Sequence, residues 1–359
     1  MASQPQVSIA HTFGRTLTGG ILAIAVLFFA DTFLAKTEKA ESLVEAEHHY
    51  QNGKRLMQSG DTARAVEEFR SALGVERENQ DYQLALGQAL LTAGKATDAA
   101  GVLNALLEED PFGGPANLAL ARVMVREGKI ADAISYYHRA IYGQWKDNAA
   151  VNQLQVRFEL VELLSRQNSG EALLAELLPL QDEAPDDVAT QEKLGQWFLA
   201  AGSTGRAAGV FREILQRGPR NADVHAGLAE AEFASGNYRE ARDEFQAAVR
   251  MGAGDETIQA RLDLANRILD LDPTLRGLSR EERLRRSRKL LELTLDDLKQ
   301  CTGDSPLIKP AEIAMRKPMT TYDDNLDLAD RIWQARRTNC KGSSNAEPFA
   351  IVLSKLGQK

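Results

Sequence analysis

The sequence predicts an all-α protein made of stacked pairs of short helices, with an apolar helix before the stack and a helical cap after it. Two spacings predict this fold. Glycine recurs every 34 residues in two sets, which are Gly60, Gly94 and Gly128 in the first and Gly202 and Gly236 in the second. Alanine follows each glycine five residues later, at Ala65, Ala99, Ala133, Ala207 and Ala241. A period of this length indicates a series of similar helical units that share one core.

The period divides most of the chain into helix–turn–helix units, with bounds 46–79, 80–113, 114–147, 188–221 and 222–255. In each half of a unit the apolar residues lie three, four and seven apart, on one face of a helix. The turn glycine suits a positive φ where the first helix ends. A small residue marks the close crossing of the two helices, at Gly53, Gly87, Ala121, Gly195 and Ala229. Between the two sets, 148–187 is predicted to hold about six extra residues and one degenerate unit, 154–187.

These units resemble the tetratricopeptide repeat, whose 34-residue pattern has large, Leu-Gly, large, Gly, Ala, aromatic, Ala and Pro positions. The aromatic position of the second helix holds Phe69, Tyr137, Phe211 and Phe245, with Leu103 as the one substitution. The resemblance covers about 210 residues, 46–255. It implies an α-solenoid, a right-handed superhelix of helix pairs, and a role in binding a protein or peptide.

The resemblance also implies where a partner binds, because the first helices of tetratricopeptide repeats line a concave groove. The corresponding positions hold Tyr50, Lys54, Met57, Leu84, Gln88, Leu91, Leu118, Arg122, Val125, Arg126, Lys193, Gln196, Leu199, Glu230 and Phe233. They combine apolar side chains with groups that can hydrogen-bond a peptide backbone or pair with acids. The alternative for each residue is plain solvated surface. A clamp for a C-terminal carboxylate is not expected, because its asparagine position holds Lys54, Gln88, Arg122, Gln196 and Glu230.

After a short N-terminal segment, 1–15, the apolar stretch 16–35 is predicted to be an uncleaved transmembrane anchor. Twenty helical residues span about 30 Å, the hydrocarbon thickness of a bilayer. Asp31 lies in its outer third, where its cost is well below the roughly 3 kcal/mol expected at the membrane centre. The alternatives are a cleavable signal peptide, which the bulky residues at −3 disfavour, and a buried helix of a soluble protein.

The membrane orientation stays open, because Arg15 precedes the stretch while Lys36 and Lys39 follow it. The two cysteines, Cys301 and Cys340, favour an extracytoplasmic domain, because they could pair in an oxidising compartment. Such a bond would contribute about 4 kcal/mol on the chain-entropy model. The alternative is two unrelated buried thiols.

Capping helices are expected at 256–300 and a helical extension at 301–359. The predicted pieces are a helix at 256–271, a basic-faced helix at 278–300, an irregular stretch at 302–323, a helix at 324–338 and a short apolar run at 349–356. The basic face holds Arg280, Arg283, Arg286 and Lys289. It could meet phosphates or an anionic membrane, but we interpret it as the solvated side of a helix.

The sequence contains no phosphate loop, no HExxH, no GxSxG and no CxxC motif, so we predict neither an enzyme nor a cofactor or metal site. His48 and His49 are adjacent, so a helix would point them about 100° apart. Gly205 and Gly209 form a GxxxG that we interpret as close-packing positions. The net charge of −8 and the pI of about 5.4 argue against nucleic-acid binding.

Together these features predict a membrane-anchored scaffold that binds proteins, similar in architecture to bacterial membrane-bound repeat proteins of envelope assembly, secretion or pilus-type complexes. Its soluble part is expected outside the cytoplasm. Two alternatives stay open. The same architecture could face the cytoplasm as an adaptor of membrane enzymes, or the repeats could drive self-association.

Overall fold

A computed structural model describes residues 9–167, 169–218, 221–253, 255–302, 304–316, 321–340 and 347–356, with the backbone alone for 9–31, 34 and 35. Every regular element in these residues is a helix, which confirms the predicted all-α class. The chain forms two compact units, Met1–Leu160 and Val161–Lys359.

The N-terminal unit consists of successive antiparallel helix pairs. Its helices are α1 (Ile9–Ser59), α2 (Thr62–Val75), α3 (Gln80–Thr92), α4 (Ala96–Glu109), α5 (Gly114–Arg126), α6 (Ile130–Ile141) and the first part of α7 (Ala149–Arg166). The first helix of the first repeat is the last part of α1, so one continuous helix includes both 16–35 and 46–59. The side chains of the predicted anchor lie outside the described residues, apart from Thr32 and Phe33. Within the described part of the chain, no helix combines the length and the apolar character that a bilayer span requires.

The turn glycines behave as the sequence predicts. Each of the five adopts a positive φ, between 74° and 85°. At Gly128 the glycine N–H bonds to the Val125 carbonyl at 3.1 Å, and the next residue, Lys129, bonds to the Met124 carbonyl at 2.9 Å. This arrangement satisfies the last carbonyls of the first helix and reverses the chain into the second.

The helix crossings depend on the absence of a side chain. A Cβ atom built on Gly53, Gly87 or Gly195 would lie 2.5–2.6 Å from the buried Phe69, Leu103 or Phe211 respectively. The large residue of each second helix therefore packs directly onto the backbone of the first.

The interpretation of Gly205 and Gly209 as close-packing positions is wrong. Both are exposed, and an added Cβ would meet nothing within 4 Å.

A loop between α6 and α7, residues 142–148, interrupts the regular repeat. It pairs with the loop before α5: the Gln144 N–H donates to the Phe112 carbonyl at 2.7 Å, and the Gly114 N–H donates to the Gln144 carbonyl at 2.8 Å. The Trp145 indole covers Gly114, where an added Cβ would lie 2.3 Å from its nitrogen. The loop thus has a fixed structure at the end of the third repeat.

In the C-terminal unit the helix pairs continue and lead into a helical cap. The helices are the rest of α7, α8 (Gly170–Glu183), α9 (Val188–Ala200), α10 (Thr204–Arg217), α11 (Ala222–Ala234), α12 (Tyr238–Arg250), α13 (Glu256–Leu271), α14 (Arg280–Cys301), α15 (Ile308–Arg316), α16 (Tyr322–Asn339) and α17 (Pro348–Leu356). In the degenerate unit, Val161 and Leu173 are fully or almost fully buried. The prediction of an irregular stretch over 302–323 is wrong for the part that forms α15.

One apolar cluster joins the cap helices. It includes Leu291, Leu298, Ile332, Trp333 and Leu353, so α14, α16 and α17 share a core with the end of α13. Cys301 and Cys340, at the ends of α14 and α16, form a disulfide with a Cα–Cα distance of 6.0 Å.

The basic face of α14 serves the fold in several places. Arg286 donates to the carbonyl of Leu269 and to the carboxylate of Glu282, and the Arg283 guanidinium lies 5.8 Å from the centre of the Tyr322 ring. Lys289 pairs with Glu292 at 2.8 Å. The interpretation of this face as the solvated side of a helix is therefore wrong for Arg286, whose side chain is only 12% exposed, whereas Arg280 and Lys289 are exposed.

Candidate functional site

Two positions of the first helix are exposed or half-buried in all five regular units. The first, which we call the polar position, holds Lys54, Gln88, Arg122, Gln196 and Glu230, all exposed or half-buried. The second, three residues later and called the apolar position, holds Met57, Leu91, Val125, Leu199 and Phe233, all half-buried. Each first helix therefore offers one hydrogen-bonding or charged group beside one apolar contact. Leu118, also predicted for the groove, is instead buried in the core.

The first repeat presents a ring cluster next to its polar position. The Tyr50 ring lies 4.8 Å from that of Tyr82 and 5.9 Å from that of Phe69, and the Lys54 ammonium lies 5.3 Å from the Tyr50 ring. The Tyr82 hydroxyl donates to the Glu47 carboxylate at 3.0 Å. Burial, and then this hydrogen bond, raise the pKa of Tyr82 to about 12. Burial also raises the pKa of Tyr50. Both hydroxyls are therefore neutral donors at physiological pH.

The arginines of the third repeat are already engaged within the protein. Arg122 forms a two-pronged ion pair with Glu159, at 2.9 Å and 2.6 Å, and this hydrogen bond is the main reason why the pKa of Arg122 is raised. Arg126 donates to the Leu91 carbonyl at 2.5 Å. Arg122 thus holds α5 against α7, and a partner's acid would have to compete with Glu159.

The fourth regular repeat keeps its predicted groups accessible, whereas the fifth does not. Lys193 and Gln196 are exposed on α9. On α11, Glu230 pairs with Arg261 at 3.2 Å. The Phe233 ring lies 5.1 Å from the Tyr238 ring and 5.3 Å from the Arg261 guanidinium, and it packs against the apolar cluster of the cap. The chain's own α13 and cap therefore occupy the groups predicted to contact a partner at this repeat.

Leu84 lines a cavity of about 420 Å³ in the N-terminal unit, between α3, α5 and the 142–148 loop. Its apolar wall consists of Leu84, Leu106, Pro115, Ala116 and Trp145. Its polar groups are Gln80, Asp81, Asp110, Gln144, Lys146, Asp147 and Asn152. Apart from Leu84, none of these residues was predicted from the sequence to contact a partner. The sequence feature that could have pointed to the cavity is the group of about six extra residues after 147, which interrupts the regular spacing next to the third repeat.

These groups are suited to non-covalent binding. Apolar side chains at half-buried positions can accept a partner's side chains, and neighbouring amides and charges can bond its backbone. Within the described residues, no three His, Cys, Asp or Glu side chains converge in the manner of a metal site.

Two segments match family models described as tetratricopeptide repeat, residues 50–114 and residues 198–262. The first segment runs from the end of α1 to the start of α5, and the second from the end of α9 into α13. The first contains Gly60 and Gly94 of the first set of regularly spaced glycines, and the second contains Gly202 and Gly236 of the second set.

A protein of Escherichia coli O157:H7 described as cellulose synthase operon protein C is 24% identical over 247 residues, which is 66% of this chain. The match spans only 21% of that relative. Among solved structures, YrrB, described as a TPR protein with an unusual peptide-binding site, is 15% identical with a TM-score of 0.45, over 55% of this chain and 98% of its own. PilF of Pseudomonas aeruginosa is 14% identical with a TM-score of 0.44, over 62% and 97%.

Proposed function

We propose, from the premise that this chain is a tetratricopeptide repeat protein, that it is a membrane-anchored scaffold which holds a protein partner against the first helices of its repeats. The observation that carries the proposal is the repeated pairing of a polar and a half-buried apolar position on those helices. A partner that contacts several repeats gains many weak contacts at once, because the helices that present them are held in place by packing.

The accessible repeats set where this partner would bind. Lys54, Gln88 and Gln196 are exposed at their polar positions, whereas the Arg122 and Glu230 side chains already have ion-pair partners within the chain. The main contacts are therefore expected on the first and second regular repeats within the N-terminal unit and, taken by itself, on the fourth regular repeat within the C-terminal unit.

Affinity capture with the full chain in a neutral detergent tests this proposal. Gln88→Glu and Gln196→Glu, combined, should reduce capture of the partner strongly, because each change replaces an amide that can donate hydrogen bonds with a carboxylate that only accepts them and that costs more to desolvate at the proposed contact. Asn104→Asp and Gln216→Glu make the same replacement at exposed positions of second helices and should leave capture unchanged. Equal capture by both double variants would place the binding surface elsewhere.

The anchored, extracytoplasmic location is part of the proposal. It is supported by the apolar composition of 16–35 and by the disulfide between Cys301 and Cys340, because disulfides persist mainly in oxidising compartments. A role in bacterial envelope assembly, secretion or pilus-type complexes would fit this location. Tethering to a membrane raises the local concentration of whatever the repeats hold.

A cytoplasm-facing adaptor is the second candidate, because Lys36 and Lys39 flank the apolar stretch on the side of the repeats. Thiol labelling in intact cells separates the two. In an extracytoplasmic protein both cysteines stay unlabelled until a reductant is added. Free, alkylatable thiols, together with labelling that requires a membrane-permeant reagent, would favour the adaptor.

A further inference from the structure

The cavity beside the 142–148 loop has a chemistry distinct from that of the polar and apolar positions. We infer that it binds a basic side chain, lysine or arginine, of the protein partner. The inference rests on the proposed function and adds the partner's chemistry at one place. The loop that builds the cavity is the part of the N-terminal unit that departs from the regular repeat.

The size and wall of the cavity suit one long side chain. Its volume of about 420 Å³ lies in the range of pockets that enclose a small ligand. One wall is the Trp145 indole, whose orientation is fixed because its N–H donates to the Ala140 carbonyl at 2.9 Å and its ring covers Gly114. A flat aromatic wall is favourable for the methylene stem of lysine or arginine and for the cation itself.

The charges around the cavity favour a cation. Three carboxylates, Asp81, Asp110 and Asp147, line it together with the single ammonium of Lys146, a sum of −2. Asp110 accepts the Phe112 N–H at 3.2 Å. Among the described residues, no side chain donates a hydrogen bond to the Asp147 carboxylate, which interacts electrostatically with Lys146. A positive group entering the cavity would therefore find an open acceptor.

Lys146 already holds an ammonium beside one of these carboxylates. Its Nζ atom lies 2.7 Å from Oδ1 of Asp81, and the two side chains are 74% and 58% exposed. Ion pairs this exposed contribute little to stability. A partner's lysine or arginine can displace Lys146 at small cost, whereas an acidic side chain would meet two uncompensated carboxylates.

Amide side chains in the cavity can also bind the peptide groups that flank the partner's basic residue. Gln80, Gln144 and Asn152 line the same cavity and can exchange hydrogen bonds with peptide groups on either side of the basic residue. A lysine within a polypeptide should therefore bind more tightly than a simple amine.

Blocked amino acids test the inference without knowledge of the partner. The full chain in a neutral detergent is titrated with N-acetyl-lysine methylamide, and the indole N–H resonance of Trp145 is followed by NMR. We expect a saturable shift, a similar shift with the arginine derivative, and weaker binding of butylamine by severalfold. The norleucine and glutamate derivatives should not shift the resonance.

Two variants sharpen the result. Asp147→Asn should weaken lysine binding about fivefold, the loss expected for one unit charge at about 4 Å in water. Lys146→Ala should tighten it about two- to fivefold, because the internal competitor is gone. Asp98→Asn should change nothing, since Asp98 precedes Leu106 by eight residues, about 12 Å along α4.

Three outcomes would overturn the inference: no shift with either basic derivative, tighter binding of the glutamate derivative, or loss of lysine binding in Lys146→Ala. Butylamine binding as tightly as the lysine derivative would overturn the polypeptide part of it. The proposed function fails separately, when Gln88→Glu and Gln196→Glu leave partner capture unchanged.

Discussion

The helix crossing at Gly195 gives the sharpest prediction about how the sequence specifies this fold. A methyl group at this position would lie 2.6 Å from Cζ and 2.7 Å from Cε1 of Phe211, about 1 Å closer than carbon atoms pack. The Phe211 ring is fully buried and cannot move away freely. Gly227 packs against the same ring, because a Cβ added there would lie 2.5 Å from it.

The expected magnitude follows from two opposing effects. Overpacking of a filled core costs about 1–3 kcal/mol, and the trapped ring argues for the upper end. Alanine in a helix is more favourable than glycine by about 1 kcal/mol. Gly195→Ala should therefore destabilise the α9–α10 pair by about 2 kcal/mol. Gly209→Ala on α10 has open space around it and should stabilise the same pair by about 1 kcal/mol.

Native-state hydrogen exchange of α9 and α10 measures both variants on the same amides, because local opening free energies determine the exchange rates. Exchange should become roughly 30-fold faster in Gly195→Ala and about fivefold slower in Gly209→Ala, since these are the factors for 2 and 1 kcal/mol. If the two substitutions changed exchange in the same direction, the crossing would not depend on glycine, and the close-packing argument would be refuted.

Three further predictions concern the disulfide and two titrating groups. Cys301→Ser combined with Cys340→Ser should lower the stability of α14 and α16 by up to about 4 kcal/mol; unchanged hydrogen exchange in these helices would mean that packing alone holds the cap. Because the pKa of Tyr82 is raised from 10.0 to about 12, its neutral form stabilises the first repeats below pH 10, and this contribution should be lost as the pH rises from about 10 to about 12. The difference in 295 nm absorbance between the parent chain and Tyr82→Phe checks this, and a midpoint near 10 would contradict it. Hydrogen bonds from Arg285 and Arg286 lower the pKa of Glu282 from 4.5 to about 2, so the start of α14 should lose this stabilisation as the pH falls from 4.5 to 2; carboxyl NMR titration of Glu282 measures the midpoint.

The repeat architecture could be predicted because short-range sequence patterns, namely recurring glycines and small residues, determine it. A glycine every 34 residues indicates a turn position at which the backbone needs a positive φ. The structure has a positive φ at Gly128 and at the four equivalent glycines. The small residue at the crossing reports a steric limit, which the contact between Gly195 and Phe211 confirms. Such signals repeat, so their coincidence in five units leaves little ambiguity.

Two predictions failed for local reasons. Pro310 made 302–323 look irregular, but it lies in the first turn of α15, where proline lacks only an N–H that would have no partner within the helix. Gly205 and Gly209 have the spacing of close-packing residues, yet both point away from neighbouring helices. Spacing alone does not state which face of a helix is buried.

The state of the candidate site could not be read from the sequence, because it depends on contacts between distant residues. Arg122 pairs with Glu159, 37 residues away, and Phe233 packs against a cluster formed largely by the cap. Repeat spacing predicts that Arg122 and Phe233 are accessible. It contains no information on which other side chains of the same protein contact them. The cavity likewise arises from the 142–148 loop, which follows no repeat pattern.

Site-specific photocrosslinking tests the central claim most directly. A photoreactive phenylalanine analogue is placed at 88 or 196 on first helices, or at 104 or 216 on second helices, and the cells are irradiated. The account predicts one protein partner crosslinked from 88 and 196 and none from 104 and 216. Adducts of that partner from the second-helix positions, with none from the first-helix positions, would contradict the assignment of the binding surface.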